Sequence, residues 1–498
     1  MNKEDRKKFH NSKRKIAWRL KRRAFKTRSK PMLSATNIRY QISGRIQAVS
    51  VGGIGVLHRL ARRCGLVAAI DRDLHLFKRH MPYHESDHVL NLAYNICCGH
   101  GAIQDLELLR QQEPYLNLLG AQRIPDPTTA GDFLRRFKQS DIEKLMEIVN
   151  TISARMWPVE SGEIGIIDVD GLIAPTGAEK KQGIGLSYNG IWGYHPLMVS
   201  LANYRQILFI VNRPGNSASQ QNAAHWLDKS VALIRRRFDK VLLRGDTAFS
   251  LTVNFDRWTK DNVRFVFGFD ACRNLIEIAE SLPAERFKRL KRPAKYEVQS
   301  AERKKRDNVK EQFIVEKEYR NIQLESEDIA EFYYQPSKCS RAYRMIVLRK
   351  NLSEAKGEKV LFDDVRYFFY VTNDPELSAE EVVFHANARC NQENLIEQLK
   401  NGVNAMRAPV HDLLSNWAYM VIASLAWTLK SWFAFAQRNE EVRKTLLRME
   451  FKAFLNAIVR IPVQVIRQAR RVVLSVLAYS PWLPQIFQAS LRSPLSSG

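Results

Sequence analysis

The sequence lacks the features that mark secreted and membrane proteins. Six cysteines occur in 498 residues, and their spacing forms no disulfide framework, which favours a reducing cytoplasm. The longest apolar run, residues 417–429, is shorter than the roughly 20 residues that a membrane span needs, so it predicts a buried core helix. The basic N-terminus has no apolar segment of the secretory kind, although a basic amphipathic targeting segment is an alternative. We therefore expect a cytoplasmic protein with no membrane partner.

Acidic residues are outnumbered, with 52 Asp and Glu against 78 Lys and Arg and a formal net charge of +26. Residues 1–30 alone hold 14 Lys and Arg against two acids. Such an excess favours a polyanionic partner, and nucleic acid before a membrane surface. The length of the chain predicts two or three domains, because one ordinary core does not serve 498 residues.

A cluster of histidines and cysteines near residues 80–100 is a candidate metal site. Its members are His80, His84, His88, Cys97, Cys98 and His100. Structural zinc sites need paired ligands at fixed spacing, and no CxxC or HxxxH pair here is matched by a second one at finger spacing. Ser86 is instead predicted to be the N-cap of a helix that ends at Gly99. We therefore expect no zinc site in this segment.

Residues 37–155 follow a basic tail at 1–36 and show helical periodicity. Prolines at 125 and 127 predict a new helix, whose cap we place at Thr128 or Thr129. Arg135 and Arg136 project from this helix and are candidate phosphate contacts, so this region is a candidate DNA-binding module. An ordinary helical domain with a solvated basic face is the alternative.

The pattern changes to strands at Glu163, where a β-branched stretch ends in carboxylates. Asp168 and Asp170 share one face of this strand, about 7 Å apart. Acids at the end of a buried strand are unfavourable unless a cation meets them, and a metal ion is the obvious candidate. A solvated strand end with two turn-forming aspartates is the alternative. A later strand, residues 240–245, again delivers an acid, Asp246.

The order of elements over residues 156–270 is three antiparallel strands, a helix, a strand, a helix and a strand. In open α/β sheets, sites gather at the carboxyl ends of strands, so Asp170 and Asp246 are expected at one edge. Residues 271–365 are predicted to be a β-rich insertion, with strand-like runs at 313–317, 331–334 and 344–348. Residues 366–437 complete the core, and residues 438–498 form a C-terminal helical region.

A third acid lies on a helix. Ser378 begins a capping-box sequence, and Arg389, Glu393 and Lys400 follow at spacings that place them on one face. A surface helix with ordinary i,i+4 ion pairs is the alternative for this stretch taken alone.

Together these motifs resemble bacterial insertion-sequence transposases of the DDE type. More narrowly, the chain is similar to the DDE-domain group 1 transposases, the IS-thirteen-eighty-like relatives of the IS-four-like superfamily. The resemblance rests on three motifs: the strand 167–171, the strand end 243–249, and the R-(3)-E-(6)-K spacing of Arg389, Glu393 and Lys400. Two positions depart from the family pattern: Leu172 stands where the family has Thr, and Ala386 stands where it has Tyr.

The resemblance implies an α/β fold with an RNase H-like mixed sheet and flanking helices, interrupted by the β-rich insertion. It implies that Asp170, Asp246 and Glu393 are catalytic and bind Mg²⁺, with Mn²⁺ as the alternative ion. Asp168 is the second choice for the first acid. Hard divalent ions take oxygen ligands, which three carboxylates supply. Arg389 and Lys400 would grip the phosphates beside the cut.

The implied function is a transposase that binds the terminal inverted repeats of an insertion sequence. It would cut double-stranded DNA there and transfer the 3′ ends to target DNA by cut-and-paste, acting as a homodimer. The resemblance also implies a bacterial, nucleoid-associated protein of the cytoplasm. Two alternatives stay open. One is an RNase H-like structure-specific nuclease, and the other is a non-catalytic DNA-binding protein derived from a transposase.

Overall fold

One nine-stranded mixed β-sheet forms the centre of the fold. The computed structural model describes all residues except 22–34, 36–37, 41–45, 81, 188, 293–319, 357–358, 469–470 and 492–498. In chain order the strands are β1 Ala48–Val49, β2 Ile164–Gly171, β3 Ala174–Pro175, β4 Gly185–Leu186, β5 Trp192–Tyr194, β6 Leu197–Leu201, β7 Gln206–Val211, β8 Lys240–Gly245, β9 Arg264–Phe269, β10 Lys288–Arg289, β11 Arg320–Tyr334, β12 Tyr343–Lys356, β13 Lys359–Thr372, β14 Val463–Gln468 and β15 Arg471–Val476.

Helices cover the sheet and form most of the chain before and after it. In chain order they are α1 Lys3–Lys21, α2 Ile54–Arg63, α3 Leu66–Asp73, α4 Glu85–Cys97, α5 Leu106–Arg110, α6 Glu113–Leu119, α7 Pro127–Leu134, α8 Gln139–Met156, α9 Ala223–Ile234, α10 Phe255–Lys260, α11 Arg273–Ser281, α12 Ala379–Ala388, α13 Cys390–Glu397, α14 Leu413–Phe435, α15 Glu440–Arg448, α16 Phe451–Phe454 and α17 Leu483–Leu491. The predicted α/β class, a mixed sheet with flanking helices, is confirmed.

The order of the strands in the nine-stranded sheet determines which strand ends lie side by side. Across the sheet it is β10, β11, β12, β13, β9, β8, β2, β6 and β7. The pairs β2–β8 and β8–β9 are parallel, whereas β2–β6 and β6–β7 are antiparallel. Because β2 and β8 lie side by side and run the same way, their carboxyl ends open on one edge of the sheet. The predicted order of three antiparallel strands, helix, strand, helix and strand is confirmed for the members of the central sheet, β2 and β6 to β9. The short strands β3, β4 and β5 between β2 and β6 form a separate sheet and were not predicted.

The predicted β-rich insertion contributes to this same sheet. Its runs at 331–334 and 344–348 lie inside β11 and β12, which are 15 and 14 residues long. β12 pairs with β13, and β13 pairs with β9, so these long strands extend the central sheet at one side. The run at 313–317 lies outside the described residues. The boundary placed after residue 365 falls inside β13.

Helix α14 is the central helix of the fold, and its side chains from Ser415 to Phe435 are all buried. Its length and composition suffice for a membrane span, yet its apolar stretch is entirely buried inside the protein. Three indole N–H groups anchor it: Trp417 to the Ile210 carbonyl at 2.6 Å, Trp427 to the Arg205 carbonyl at 2.8 Å, and Trp432 to Ser153 Oγ at 2.9 Å. It therefore packs between α4, α8 and β7, and the predicted buried core helix is confirmed.

A small sheet ties an early segment of the chain to its C-terminal region. β1 pairs with β14, and β14 pairs with β15. Beside this sheet, the Gly53 N–H donates to the Val459 carbonyl at 3.1 Å. A Cβ atom at Gly53 would overlap the Ile458 carbonyl, so this close approach requires glycine.

The start of α4 differs from its prediction. Its N-cap is His84, and Ser86 lies inside the first turn. The reason is a partner distant in sequence: Asp71 accepts both the backbone N–H and the hydroxyl of Ser86 at 3.0 Å. The Ser86 side chain is therefore not available to cap the helix, and the predicted cap was wrong.

The start of α7 also differs. Its N-cap is Asp126, which accepts the Thr129 N–H at 2.9 Å, so the two threonines lie within the first turn. Pro127 takes the first helical position, where its missing N–H is harmless. The helix ends at Leu134, so Arg135 and Arg136 directly follow the helix instead of projecting from it, which corrects both predictions.

Candidate active site

The parallel strands β2 and β8 carry two of the predicted acids to one edge. Asp170 is the last residue but one of β2, and its side chain is 15% exposed. Asp246 directly follows β8 and caps a short turn, because its Oδ1 accepts the Ala248 N–H at 3.0 Å. This bond fixes the orientation of the Asp246 carboxylate and leaves its second oxygen toward the edge of the sheet.

The third acid comes from the helical segment that crosses this part of the sheet. Ser378 forms the predicted capping box with Glu381 at the start of α12. Val382 and Val383 of α12 pack against Leu242 of β8 and Val266 of β9, which holds the helix on the sheet. The segment continues into α13, which carries Glu393 with its side chain exposed. Burial raises the pKa of Asp170, and the negative charge of Glu393 adds to that rise.

Arg389 joins the first two acids. Its Nη1 lies 2.9 Å from Asp170 Oδ2 and 3.9 Å from Asp246 Oδ2. Ligand oxygens of Asp170, Asp246 and Glu393 are not all within 4.8 Å of one another. The guanidinium therefore stands between two carboxylates whose charges it balances, and the third lies further off.

Burial sets the protonation of the first acid. It raises the pKa of Asp170 from 3.8 to about 6, and the charges of Asp246 and Glu393 act in the same direction. Arg389 opposes the rise through its positive charge. An acid that is partly desolvated and crowded by other acids favours a cation nearby.

The donor set fits a divalent cation. Asp170 and Asp246 lie at two adjacent strand ends and Glu393 lies on a helix, and all three supply the oxygen ligands that hard divalent ions such as Mg²⁺ and Mn²⁺ take. Arg389 supplies the positive charge in this arrangement, so it would compete with a cation for Asp170 Oδ2. The site holds the charge and the ligand type that such an ion requires.

Asp168, the second choice for the first acid, has another partner. Both of its oxygens accept hydrogen bonds from Arg244 of β8, at 2.7 and 2.8 Å. The side chains are 2% and 4% exposed. Burial raises the pKa of Asp168, and the contact with Arg244 opposes that rise. With both oxygens engaged below the edge, Asp168 is not placed to bind a metal beside Asp170.

Gly171 and His195 border the first acid and were not predicted as functional residues. A Cβ atom at Gly171 would lie 2.9 Å from His195 Nε2, so glycine is required for this packing. His195 is buried, and its Nδ1 donates to the Ser217 carbonyl at 2.7 Å. Burial lowers the pKa of His195. The glycine that directly follows Asp170 was the one signal for this contact in the sequence.

The remaining predicted residues lie at different distances from the acids. Lys400 is partly buried in a π-helical turn, Gln398–Gly402, which interrupts the regular spacing from Glu393. Arg135 pairs with Asp132 at 2.6 Å on the surface after α7. Arg136 lies over the Phe77 ring at 5.0 Å. The two arginines therefore belong to the N-terminal helical region and not to the edge that holds the acids.

Among the described residues, one group of three side chains has metal-ligating atoms within 4.8 Å of one another: His80, His84 and Glu85. Glu85 is buried and already accepts two backbone N–H groups and His80. Cys97 and Cys98 do not join this group, and burial raises the pKa of both thiols. Glu85 and His80 therefore already have partners within the protein, and the absence of a zinc site in this segment stays a prediction.

Acids delivered by two strand ends and one helix form the arrangement expected of a DDE transposase. The family model described as "Transposase DDE domain group 1" matches residues 30–493, and the chain belongs to this family. No curated protein matches the chain. Among solved structures it is similar to the chain in "Cryo-EM structure of piggyBac transposase synaptic complex with hairpin DNA". That similarity has 8% identity over 82% of this chain and 81% of that chain, with a TM-score of 0.36.

Proposed function

We propose that this protein is a bacterial insertion-sequence transposase that binds the terminal inverted repeats of its element and moves it by cut-and-paste. Within the family, the IS-thirteen-eighty-like group is the proposed position. One observation supports the proposal above others: Asp170 and Asp246 share one guanidinium at adjacent strand ends, with Glu393 acting on the same acid. A structural ion pair alone has no need of a third carboxylate there.

The proposal includes an RNase H-like core. Its support is the order of strands: three antiparallel strands β2, β6 and β7, followed by β8 and β9 added in parallel beside β2. Residues 37–155 are the proposed DNA-binding region, and residues 1–36 supply further positive charge. DNA as partner is consistent with the net charge of +26.

The proposed cofactor is Mg²⁺, with Mn²⁺ as a substitute, held by Asp170, Asp246 and Glu393. When bound, such ions activate the attacking oxygen and stabilise the leaving oxygen during in-line displacement at phosphorus. The role of the protein itself is to hold the three carboxylates in one arrangement and to exclude other arrangements of these ligands. During cleavage, water attacks phosphorus and displaces the 3′ oxygen of the element end. The freed 3′-hydroxyl then attacks a target phosphodiester and displaces the 3′ oxygen of the target strand, so no covalent bond to a side chain is formed.

The basic side chains complete the proposed site. Arg389 is placed to exchange its contact with Asp170 for a bidentate contact with a phosphate once the acids are neutralised by cations. Lys400, seven residues after Glu393, is proposed to hold a flanking phosphate as a point charge. A homodimer that holds both element ends in the bacterial cytoplasm is the proposed working form.

The experiment uses the full chain and linear DNA that carries an element end, with labelled strands. Wild-type protein with Mg²⁺ is expected to cut at the end and to join 3′ ends to a target plasmid. Asp246→Asn and Glu393→Gln are each expected to abolish cutting while DNA binding in a mobility-shift assay stays within about twofold, since a single neutralised carboxylate changes little of the phosphate contact. Asp228→Asn, at an exposed acid paired with Arg257, is the matched control and is expected to cut normally.

Near-normal cutting by either site variant would contradict the assignment of the acids. Cutting without any strand transfer would instead favour a structure-specific nuclease. DNA binding by wild-type protein without cutting under Mg²⁺ or Mn²⁺ would favour a non-catalytic DNA-binding protein. The three outcomes are separated in one gel-based assay because cut, joined and shifted DNA migrate differently.

A further inference from the structure

A buried polar row crosses the sheet one step below the proposed catalytic acids. Asp168 of β2 is in register with Ser200 of β6 on one side and with Arg244 of β8 on the other. Asp168 and Arg244 each precede an acid by two residues, at Asp170 and Asp246. Because side chains alternate along a strand, this row lies on the face of the sheet that leads to the acids.

Arg244 joins the two strands that lead to Asp170 and Asp246 to α12, the helix that precedes the one carrying Glu393. It belongs to β8 itself, and its Nε and Nη2 donate to Asp168 of β2 at 2.7 and 2.8 Å. Its Nη1 donates to the His385 carbonyl of α12 at 3.2 Å. One planar group therefore fixes two strands and the helix that leads to Glu393, in directions that its geometry imposes.

A second contact reaches the same row from the helical segment. Gln392, the residue before Glu393, is 2% exposed, and its Nε2 donates to Ser200 Oγ at 3.4 Å. The start of α13 is thus held over the row at Ser200, and the end of α12 is held over it at Arg244. The two contacts lie on either side of Arg389 along the chain.

Stability alone gives a weak reason for this arrangement. A buried ion pair contributes little net stability compared with well-packed apolar side chains of similar volume, because desolvation offsets the attraction. Apolar side chains cannot supply directional hydrogen bonds. The bidentate pair sets the register between β2 and β8, and the bond to His385 sets the height of the helix above them.

We propose that Arg244 is a positioning residue that acts through Asp168 and the His385 carbonyl to set the distances among Asp170, Asp246 and Glu393. This inference rests on the proposed function, since it treats those acids as joint ligands of divalent cations. Arg244 does not touch substrate or cation in this role. Its expected effect is therefore on the affinity of the site for metal, while the identity of the ligands stays the same.

The test compares three changes at the row: Arg244→Lys, Arg244→Met and the double variant Asp168→Asn with Arg244→Met. The double variant removes both charges, so no unpaired charge is left buried if the single variants fail to fold. Two quantities are measured on full-length protein: the Mg²⁺ concentration at half-maximal cleavage, and Mn²⁺ binding without DNA by electron paramagnetic resonance. Leu106→Ala, in the buried core of α5, is a control that lowers stability without touching the row.

The half-maximal Mg²⁺ concentration and the Mn²⁺ dissociation constant are expected to rise roughly 10- to 100-fold in the double variant, as for other residues that orient metal ligands. Saturating metal is expected to restore most of the cleavage rate. Arg244→Lys is expected to fall between wild type and Arg244→Met, because lysine keeps the charge but loses the bidentate contact. Leu106→Ala is expected to keep both metal constants of wild type despite a lower unfolding temperature.

Two failures are distinguishable. If wild-type protein cuts DNA and the row variants show the metal constants of Leu106→Ala, the positioning role is refuted and the ion pair is only structural. If wild-type protein neither cuts nor binds Mn²⁺, the proposed function fails before Arg244 is tested.

Discussion

Replacing the first acid, Asp170→Asn, is expected to stabilise the protein at neutral pH although it removes a proposed catalytic group. Burial and neighbouring acids raise the pKa of Asp170 from 3.8 to about 6 in the folded protein. A raised pKa means that the folded state binds the proton more tightly than the unfolded state does. The wild-type protein therefore loses stability as the pH rises from 3.8 to about 6. The Asp170→Asn variant does not lose this stability, because asparagine stays neutral.

The magnitude follows from the size of the shift. A rise of about two pKa units corresponds to about 3 kcal/mol in the free energy of unfolding, at about 1.4 kcal/mol per unit. The difference between variant and wild type is expected to vanish only well below pH 3.8, where Asp170 is a neutral acid in both states, and to be still small at pH 4, where only the unfolded state is substantially ionised. It reaches its full size above about pH 6 and stays there. For a chain of this length, about 3 kcal/mol corresponds to roughly 3 °C in the unfolding temperature.

The assay is thermal unfolding of both proteins from pH 4 to pH 8 in the presence of a chelator. Addition of Mg²⁺ is then expected to stabilise wild type more than Asp170→Asn, because a cation that binds the folded state shifts the equilibrium toward it. Asp256→Asn is a control of opposite sign. The pKa of Asp256 is lowered by hydrogen bonds from the Ser340 N–H and the Tyr343 hydroxyl, so this variant is expected to lose stability at pH 8.

Parallel curves for wild type and Asp170→Asn across the whole pH range would refute the reasoning, because they would show that the fold does not oppose ionisation of Asp170. A lower unfolding temperature of the variant at pH 8 would also refute it. In that case the stabilisation of ionised Asp170 by its ion pair with Arg389 would be larger than the free-energy cost of burying the charge.

Two further changes test separate features. Gly171→Ala places a Cβ 2.9 Å from His195 Nε2. By displacing Asp170, this variant is expected to lower the cleavage rate about 100-fold while the unfolding temperature is nearly unchanged. Equal losses in cleavage rate and in folded protein would contradict this expectation. Lys430 is buried in α14, donates to the Leu447 carbonyl at 2.9 Å, and has a pKa lowered well below 10.5 by burial. The folded state therefore binds its proton less tightly than the unfolded state, so wild-type stability is expected to rise with pH toward 10. Lys430→Met is expected to lose that rise in urea unfolding, and an unchanged slope would show that Lys430 stays charged.

The central strands were predictable because their chemistry is local. The stretch from Glu163 to Gly171 is β-branched, apolar and bounded by carboxylates, and β2 spans Ile164–Gly171. The capping box at Ser378 is likewise confirmed, since both of its hydrogen bonds join residues three apart. Signals of this kind depend on near neighbours, which a sequence displays directly.

The tasks of individual side chains were less predictable because their partners are distant in the chain. Asp168 looked like a metal ligand until its partner Arg244, 76 residues away, was placed beside it. Arg389 looked like part of a stripe on one continuous helix, but the structure puts it at a break between α12 and α13, on Asp170. The long hairpin of β11, β12 and β13 shows the same limit, since its junction with β9 joins residues about 100 apart.

The position of α14 has a consequence for damaged copies of the gene. Helices α2, α4, α7 and α8 and strand β7 all pack against this one segment, which the ribosome makes only from residue 413 onward. A reading frame that is interrupted before residue 413 would give a polypeptide that lacks helix α14. Without this helix the apolar core is incomplete, and proteases would degrade the chain. Interrupted gene copies would therefore yield no stable protein. Their products would not compete with the intact protein.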